Sequence, residues 1–366
     1  MRRKIRFTTI AVVLLALFSC MREEALDPVP EMTGMPVRLS LSPNGGSHTK
    51  VSGVDYERDE GAVQRWAFFI FERSTGLLAY SGVVGSEGTV TKTLRTGVFE
   101  LFVMANYPLT GAYAPNVSAI RTRADFLRLR ASLADNAPGC FLMSGAAVFA
   151  VPGGEEVLEI AVRLQRLVCK IHLETVTRRF QNASLASQQM TLRHVYLTNV
   201  YPESRYSEDY YPGELSSRQA SWYNAMGWEH AAAMPQVSAI DALVGERNLH
   251  LQLRQNVSEN LGRTFYCYPN PWDFQADSHS PDWNGPRCTR LILETELGGH
   301  TYYYQATLSG ENSPHYLSRN RAFRVFCTLN HLGSKDPEQE IPGALTVQFI
   351  PEAQPWEADY SIQEQS

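Results

Sequence analysis

The sequence predicts an all-β protein with few helices, built as two tandem β-sandwiches. Three observations carry this. Short apolar runs, alternating or apolar on both faces, recur through the chain and end at Gly, Pro or Asn. Helix signals are few, and in the first half only one segment carries a helix start. At 366 residues the chain suits two domains of ordinary size better than one.

The elements follow in order. Pro36-Val37-Arg38-Leu39-Ser40-Leu41 alternates with period two and stops at Pro43-Asn44-Gly45-Gly46. A polar stretch, 47–64, separates it from Trp66-Ala67-Phe68-Phe69-Ile70-Phe71, which is apolar on both faces as a central strand requires. Ser74-Thr75-Gly76 turns that run into Leu77-Leu78-Ala79-Tyr80, and Val98 to Met104 forms the next strand. A helix starts at Thr122, with Asp125 at its third position and Phe126, Leu129 and Leu133 on one face. Pro152-Gly153-Gly154 marks a domain boundary. Beyond it Leu158, Ile160, Val162 and Leu164 alternate in one phase, and Leu167, Cys169, Ile171 and Leu173 in the other. A one-residue slip turns every side chain to the opposite face, so Gln165-Arg166 holds a bulge or a change of sheet. Val195–Val200 follows. Leu291–Leu297 turns at Gly298-Gly299 into His300–Leu308, the strongest hairpin signal in the chain, and Ala322–Leu329 and Leu345–Ile350 complete the set.

Composition limits function. The chain has 33 basic and 38 acidic residues, and a net charge of -5. Without residues 1–19, which carry Arg2, Arg3, Lys4 and Arg6, the basic count falls from 33 to 29 and the net charge to -9. A chain this acidic has no electrostatic footprint for nucleic acid. No nucleophile-elbow, P-loop, dinucleotide or zinc-protease motif occurs, and the nine histidines are dispersed. The best metal candidate, residues 273–279 with Asp282, lacks the alternating oxygens and the glycine of a calcium loop. The reading is non-enzymatic, with no cofactor and no metal.

At the N-terminus, a basic cluster precedes about a dozen apolar residues, Phe7–Phe18, too few to span a bilayer but suited to a signal peptide. Leu17-Phe18-Ser19-Cys20 resembles a bacterial lipobox, in which the chain is cut before the cysteine and the Cys20 sulfur carries a diacylglycerol. The acidic residues Glu23, Glu24 and Asp27 resemble the surface-export signal of Bacteroidota lipoproteins. The alternative is an ordinary secretory signal with an incidental cysteine. The expected organisation is a signal peptide (1–19), a tether (20–35), a first sandwich (36–154), a second (155–350) and a tail (351–366). The remaining cysteines, Cys140, Cys169, Cys267, Cys288 and Cys327, include no CxxC. Cys169 and Cys327 read as buried thiols, and a Cys267–Cys288 disulfide stays open. Between Tyr201 and Trp228 an insertion carries seven aromatics, among them Trp222, Tyr223 and Trp228. Either they form a surface that stacks on sugar rings, or they pack down onto the sandwich.

Several segments together resemble the fimbrillins that build the pili of Bacteroidales. The pieces are Trp66–Phe71; Phe99-Glu100-Leu101-Phe102-Val103-Met104-Ala105-Asn106; Phe141-Leu142-Met143-Ser144-Gly145; Arg166-Leu167-Val168-Cys169-Lys170-Ile171; Phe265–Asn270; Arg319-Asn320; and 333–337. They occur in the family's order over nearly the whole chain. The resemblance implies transthyretin-like Greek-key sandwiches, export as an outer-membrane lipoprotein, and polymerisation with other subunits into a fimbrium used in adhesion to a host or bacterial receptor. In that family a protease with arginine specificity removes the tether and first strand, and a neighbour's strand fills the groove. The removable strand here is Val37, Leu39 and Leu41 with their neighbours. The donor is the tail, where Trp356, Ala358, Tyr360 and Ile362 alternate after Pro355, although a strap folded onto its own domain fits that pattern equally. The basic residues after the first strand are Lys50, Arg58 and Arg65, with no arginine directly past it. Without processing, the protein keeps its lipid and acts as an anchor; a tip subunit and a stand-alone glycan-binding lipoprotein are the other readings.

Overall fold

The computed structural model describes residues 34–41, 60–85, 89–207, 242–269, 289–308, 317–337 and 339–351. The first half of the chain forms β1 (Met35–Leu41), β2 (Arg65–Glu72), β3 (Leu78–Gly85), β4 (Thr89–Leu94), β5 (Gly97–Ala105), β6 (Arg130–Ser132), β7 (Met143–Val151), β8 (Leu158–Val162) and β9 (Gln165–Arg166). A three-stranded sheet, β4-β1-β8, packs on a five-stranded one, β3-β2-β5-β7-β9. β2 is apolar on both faces because it serves two cores. Trp66, Phe68 and Ile70 face β1 and its sheet, whereas Ala67, Phe69 and Phe71 belong to the core that continues into the second half. On that second face lies the helix α1 (Arg123–Leu127), whose Phe126 ring stands 5.3 Å from Phe69 and 4.7 Å from Phe102.

α1 begins as its sequence requires: Thr122 accepts from the Asp125 amide while the Asp125 carboxylate accepts from the Thr122 amide. It ends after five residues, so Phe126, Leu129 and Leu133 do not share a helical face. The reason is competition for the backbone. Arg130–Ser132 finds a strand partner in residues 203–205, and Leu133 starts a separate 3-10 turn.

The phase slip at Gln165-Arg166 is a change of sheet. Leu164 closes the first core, the two slipped residues pair with β7 as β9, and Leu167 opens the second core. Leu158–Val162 lies beyond Pro152-Gly153-Gly154 yet hydrogen-bonds to β1, so by its hydrogen bonds it belongs with the first two sheets. The link from β8 to β9 passes directly over β7 at Gly145. A Cβ there would sit 2.3 Å from the Arg163 carbonyl oxygen. Gly145→Ala is therefore expected to cost about 1–3 kcal/mol in urea unfolding, although alanine suits a strand better than glycine elsewhere.

The second half contains β10 (Cys169–Arg178), β11 (Met190–Thr198), β12 (Glu203–Arg205), β13 (Gly245–Glu246), β14 (Leu251–Gln252), β15 (Ser258–Cys267), β16 (Arg290–Leu297), β17 (His300–Thr307), β18 (Ala322–Leu329) and β19 (Leu345–Pro351). Its sheets run β15-β10-β18-β19 and β13-β11-β16-β17, with β14 also on β11. The β16–β17 turn has positive φ at both Gly298 (58°) and Gly299 (79°), as the two-residue hairpin demands. Both halves repeat one device. In each, the opening strand lies inside its sheet and runs parallel to a strand from the end of that half: β1 beside β8, and β10 beside β18.

Candidate functional site

The first strand is held by apolar side chains and by two ladders. Residues of one parity, Met35, Val37 and Leu39, are buried; Arg38 between them is exposed. The buried set rests on Trp66, Phe68 and Ile70 of β2 and on Leu101 and Val103 of β5, all within one core. On one side β1 pairs antiparallel with β4, with Val37 opposite Lys92 and Leu39 opposite Val90. On the other it pairs parallel with β8, with Val37 opposite Leu158, Leu39 opposite Ile160 and Leu41 opposite Val162. Leu41, the third residue of the expected removable strand, is half-buried at the edge of the same core. Burial of Met35, Val37 and Leu39 contributes about 5–9 kcal/mol at about 1.5–3 kcal/mol each. The exposed Arg38–Glu159 ion pair, 2.6 Å long, adds at most about 1 kcal/mol. Taking β1 away would leave an apolar slot floored by Trp66, Phe68 and Ile70 and walled by two unpaired strand edges, a ready site for strand addition.

The chain re-enters the described structure at Glu60, and there it is fastened. Both Glu60 carboxylate oxygens accept from the Lys170 ammonium at 2.9 Å, and the Tyr266 hydroxyl donates to one of them. The Arg166 guanidinium donates to the Glu60 carbonyl at 2.9 Å and to Asn320 Oδ1 at 3.1 Å. All five residues are buried. Burial pushes the Arg166 guanidinium down to about 10, a shift that Glu60 and Tyr266 oppose. The surrounding contacts come from the same short segments that carry the fimbrillin resemblance. Arg319 donates to Ser144 Oγ and to the carbonyls of Arg205 and Tyr206. Asn106, at φ 57°, donates to the carbonyls of Ala62 and Phe141 and accepts from the Gln64 amide. The polar residues of those segments thus bind the two halves to each other and to the stretch that follows β1.

The expected site residues divide sharply. Val37, Leu39 and Leu41 lie together in β1. Arg65 opens β2, where its carbonyl accepts from the Asn106 amide at 2.9 Å, and its Nε donates to the Tyr107 carbonyl at 3.0 Å. Cys20, Lys50, Arg58, Trp222, Tyr223, Trp228, Trp356, Ala358, Tyr360 and Ile362 lie outside the described residues. Of the aromatic insertion, Tyr201 and Tyr206 are described, and both are packed into the core at 1% exposure. Cys169 and Cys327 are buried, and Cys169 faces Cys267 across the β10–β15 ladder; Cys288 is outside the described residues. Among the described residues, no cluster of His, Cys, Asp or Glu could hold a metal ion, and no helix is long and apolar enough to cross a membrane.

Sequence reasoning missed Glu60, hidden in a polar stretch, although Lys170 within the apolar run 167–171 was a signal. A lysine on a buried strand requires an anionic partner. It also missed β4, whose run Thr89-Val90-Thr91-Lys92-Thr93-Leu94 alternates but carries only two aliphatic residues.

No family model matches the chain, and no curated protein matches it. Solved structures do. A candidate cell adhesion protein from Parabacteroides distasonis superposes with a TM-score of 0.59 at 14% identity, over 87% of this chain and 97% of that one. One from Bacteroides eggerthii gives 0.58 at 16% identity, over 87% and 95%. The fimbrilin FimA of Porphyromonas gingivalis gives 0.54 at 13% identity, over 87% and 98%. The chain has the all-β fold shared by these fimbrial and cell-adhesion structures.

Proposed function

We propose that this protein is a non-enzymatic fimbrial subunit, exported as a lipoprotein through Cys20 and assembled by strand donation. The observation that carries the reading is the seat of β1. An isolated first strand fills an apolar groove between β4 and β8 with three side chains in period two. The tail offers the same period in Trp356, Ala358, Tyr360 and Ile362. A tail entering the next copy's groove restores both ladders and the buried apolar contacts, and because the contact is head-to-tail it propagates into a filament. While β1 stays in place the groove is filled, which keeps a newly exported chain from polymerising. Retention of β1 and of the lipid makes the same fold an anchor at the base of the fibre.

Mass spectrometry of the N-terminus of protein recovered from cell surfaces tests this. A stalk subunit begins after Lys50 or Arg58 and runs as a ladder of oligomers on a mild detergent gel. An acylated Cys20 on every molecule would retire the stalk role in favour of an anchor, and monomers alone, before and after trypsin, would count against assembly altogether. Arg65 behaves differently from the other two candidates. A protease needs several residues in a free extended form, and the Arg65 backbone is part of the β2 ladder. Limited trypsin digestion is expected to leave the Arg65–Trp66 bond intact while the fold persists, so any cut that frees β1 falls at Lys50 or Arg58. Early appearance of a fragment beginning at Trp66 would contradict this.

A further inference from the structure

We propose that Cys169 and Cys267 are joined by a disulfide in the exported protein, a cross-link that ties edge strand β15 to β10. The two residues are directly opposed in an antiparallel ladder, and their sulfur atoms stand 3.4 Å apart. Opposed residues in such a ladder have Cα atoms about 4.5–5.5 Å apart, inside the span of about 4.4–6.8 Å that a disulfide bridges. Rotation about the two χ1 angles therefore closes the bond without moving the backbone. Among the described residues, β15 is the outer strand of its sheet and pairs with β10 alone. The two cysteines are 98 positions apart in the sequence, so a bond between them closes a long loop and removes much of the freedom of the unfolded chain.

The chemistry is thiol–disulfide exchange with a disulfide-bearing oxidant, either a small-molecule or a protein disulfide. The thiolate of one cysteine attacks a sulfur of the oxidant and expels a thiolate, giving a mixed disulfide. The second cysteine's thiolate then attacks the protein sulfur of that mixed disulfide and expels the other half of the oxidant. Two thiols of the protein are oxidised, one disulfide of the oxidant is reduced to two thiols, and the two protons pass to the expelled thiolates. In the finished fold both sulfurs are shut away from solvent. The hydrogen bond from Cys169 and burial hold the Cys267 thiol well above its ordinary range. The exchange thus belongs to folding, before β10 and β15 close over each other.

The inference rests on the export proposed above, since such a bond persists only outside a reducing cytosol. Protein recovered from the cell envelope is denatured and alkylated with N-ethylmaleimide without reductant, then mapped by mass spectrometry. The expected result is a linked pair of peptides containing Cys169 and Cys267, and an intact mass about 252 Da below that of the chain reduced before alkylation, which carries two more maleimides and two more hydrogens. A second arm refolds the denatured, reduced chain with oxidised glutathione and is expected to regenerate the same pair. Failure of that arm, or a Cys267–Cys288 pair in either arm, overturns the proposal. Fractionation of the same cells reads export independently. Fully alkylated thiols in a surface-located chain overturn the bond alone, whereas fully alkylated thiols in a chain confined to the cytosol overturn both the bond and the export.

Discussion

Replacing Val37 and Leu39 together by aspartate is expected to expel β1 from its seat and leave the rest of the molecule folded. Each wild-type side chain is fully enclosed and rests on Trp66, Phe68 or Ile70. Losing their burial removes about 3–6 kcal/mol, and two carboxylates pointed into the same apolar space add to this, since Lys92 lies opposite position 37 but no lysine or arginine lies opposite position 39 in either ladder. The core of the second pair of sheets does not include β1. Binding of the dye ANS should therefore rise several-fold while the far-UV signal is largely kept. Hydrogen exchange should quicken in β4 and β8, which lose their shared partner. A synthetic peptide of residues 351–366 should bind the variant and not the wild type. Unchanged dye binding and an unchanged unfolding midpoint would show that β1 does not keep the groove closed. Dye binding without peptide binding would keep the groove and dismiss the tail as its occupant. Arg38→Ala, which removes only an exposed ion pair, is the control and is expected to change stability by about 1 kcal/mol or less.

The second large effect is expected at Lys170. Methionine at this position keeps the length of the side chain and takes away the ammonium that both Glu60 carboxylate oxygens accept from, leaving the Tyr266 hydroxyl and the charge of Arg166 beside them. Breaking one partner of a buried ion pair costs about 3–5 kcal/mol, most of it the penalty of the charge left behind. Urea unfolding should read that loss as a lower midpoint at nearly constant slope. Glu60→Leu combined with Lys170→Met should recover most of it, because then neither charge remains. If the single variant is as stable as the wild type, the pair does not clamp the chain at the junction. If the double variant is no better than the single, the loss comes from packing around β10 rather than from an orphaned charge.

Much of the fold was legible because its signals are local. Trp66–Phe71 announces a strand between two cores by being apolar at every position, and the structure divides those six residues three and three. The slip at Gln165-Arg166 marks the change of sheet because alternation is a strict record of which face is buried. The Gly298-Gly299 turn is dictated by its own backbone angles. The failures have one physical source as well. Thr122 and Asp125 start a helix correctly, but its end is decided by a strand some 70 residues away, which no window of sequence contains. β4 is a cover strand whose apolar content is low because half of it faces water. Glu60 looks like any solvated acid until the fold places Lys170 beside it. The groove itself was visible as an alternating first strand. Its interior seat, between two strands that come later in the chain, is a property of topology.

That topology has a temporal consequence. Arg38 and Glu159, neighbours across β1 and β8, are 121 residues apart in sequence, so the wall on that side of the seat reaches the ribosome exit long after β1 does. Contacts between such distant segments form slowly, because the intervening chain must be ordered before they are rewarded. β1 is therefore made well before β8, the strand that secures it on that side, and the groove is expected to close late. A crowded population of newly exported chains would then face a race between each chain's own strand and its neighbours' tails. The covalent link from β1 to β2 would keep the molecule's own strand at high local concentration and so bias the outcome toward the closed monomer. On the assembly proposed above, that link would act as a timer, and a cut at Lys50 or Arg58 would end the delay.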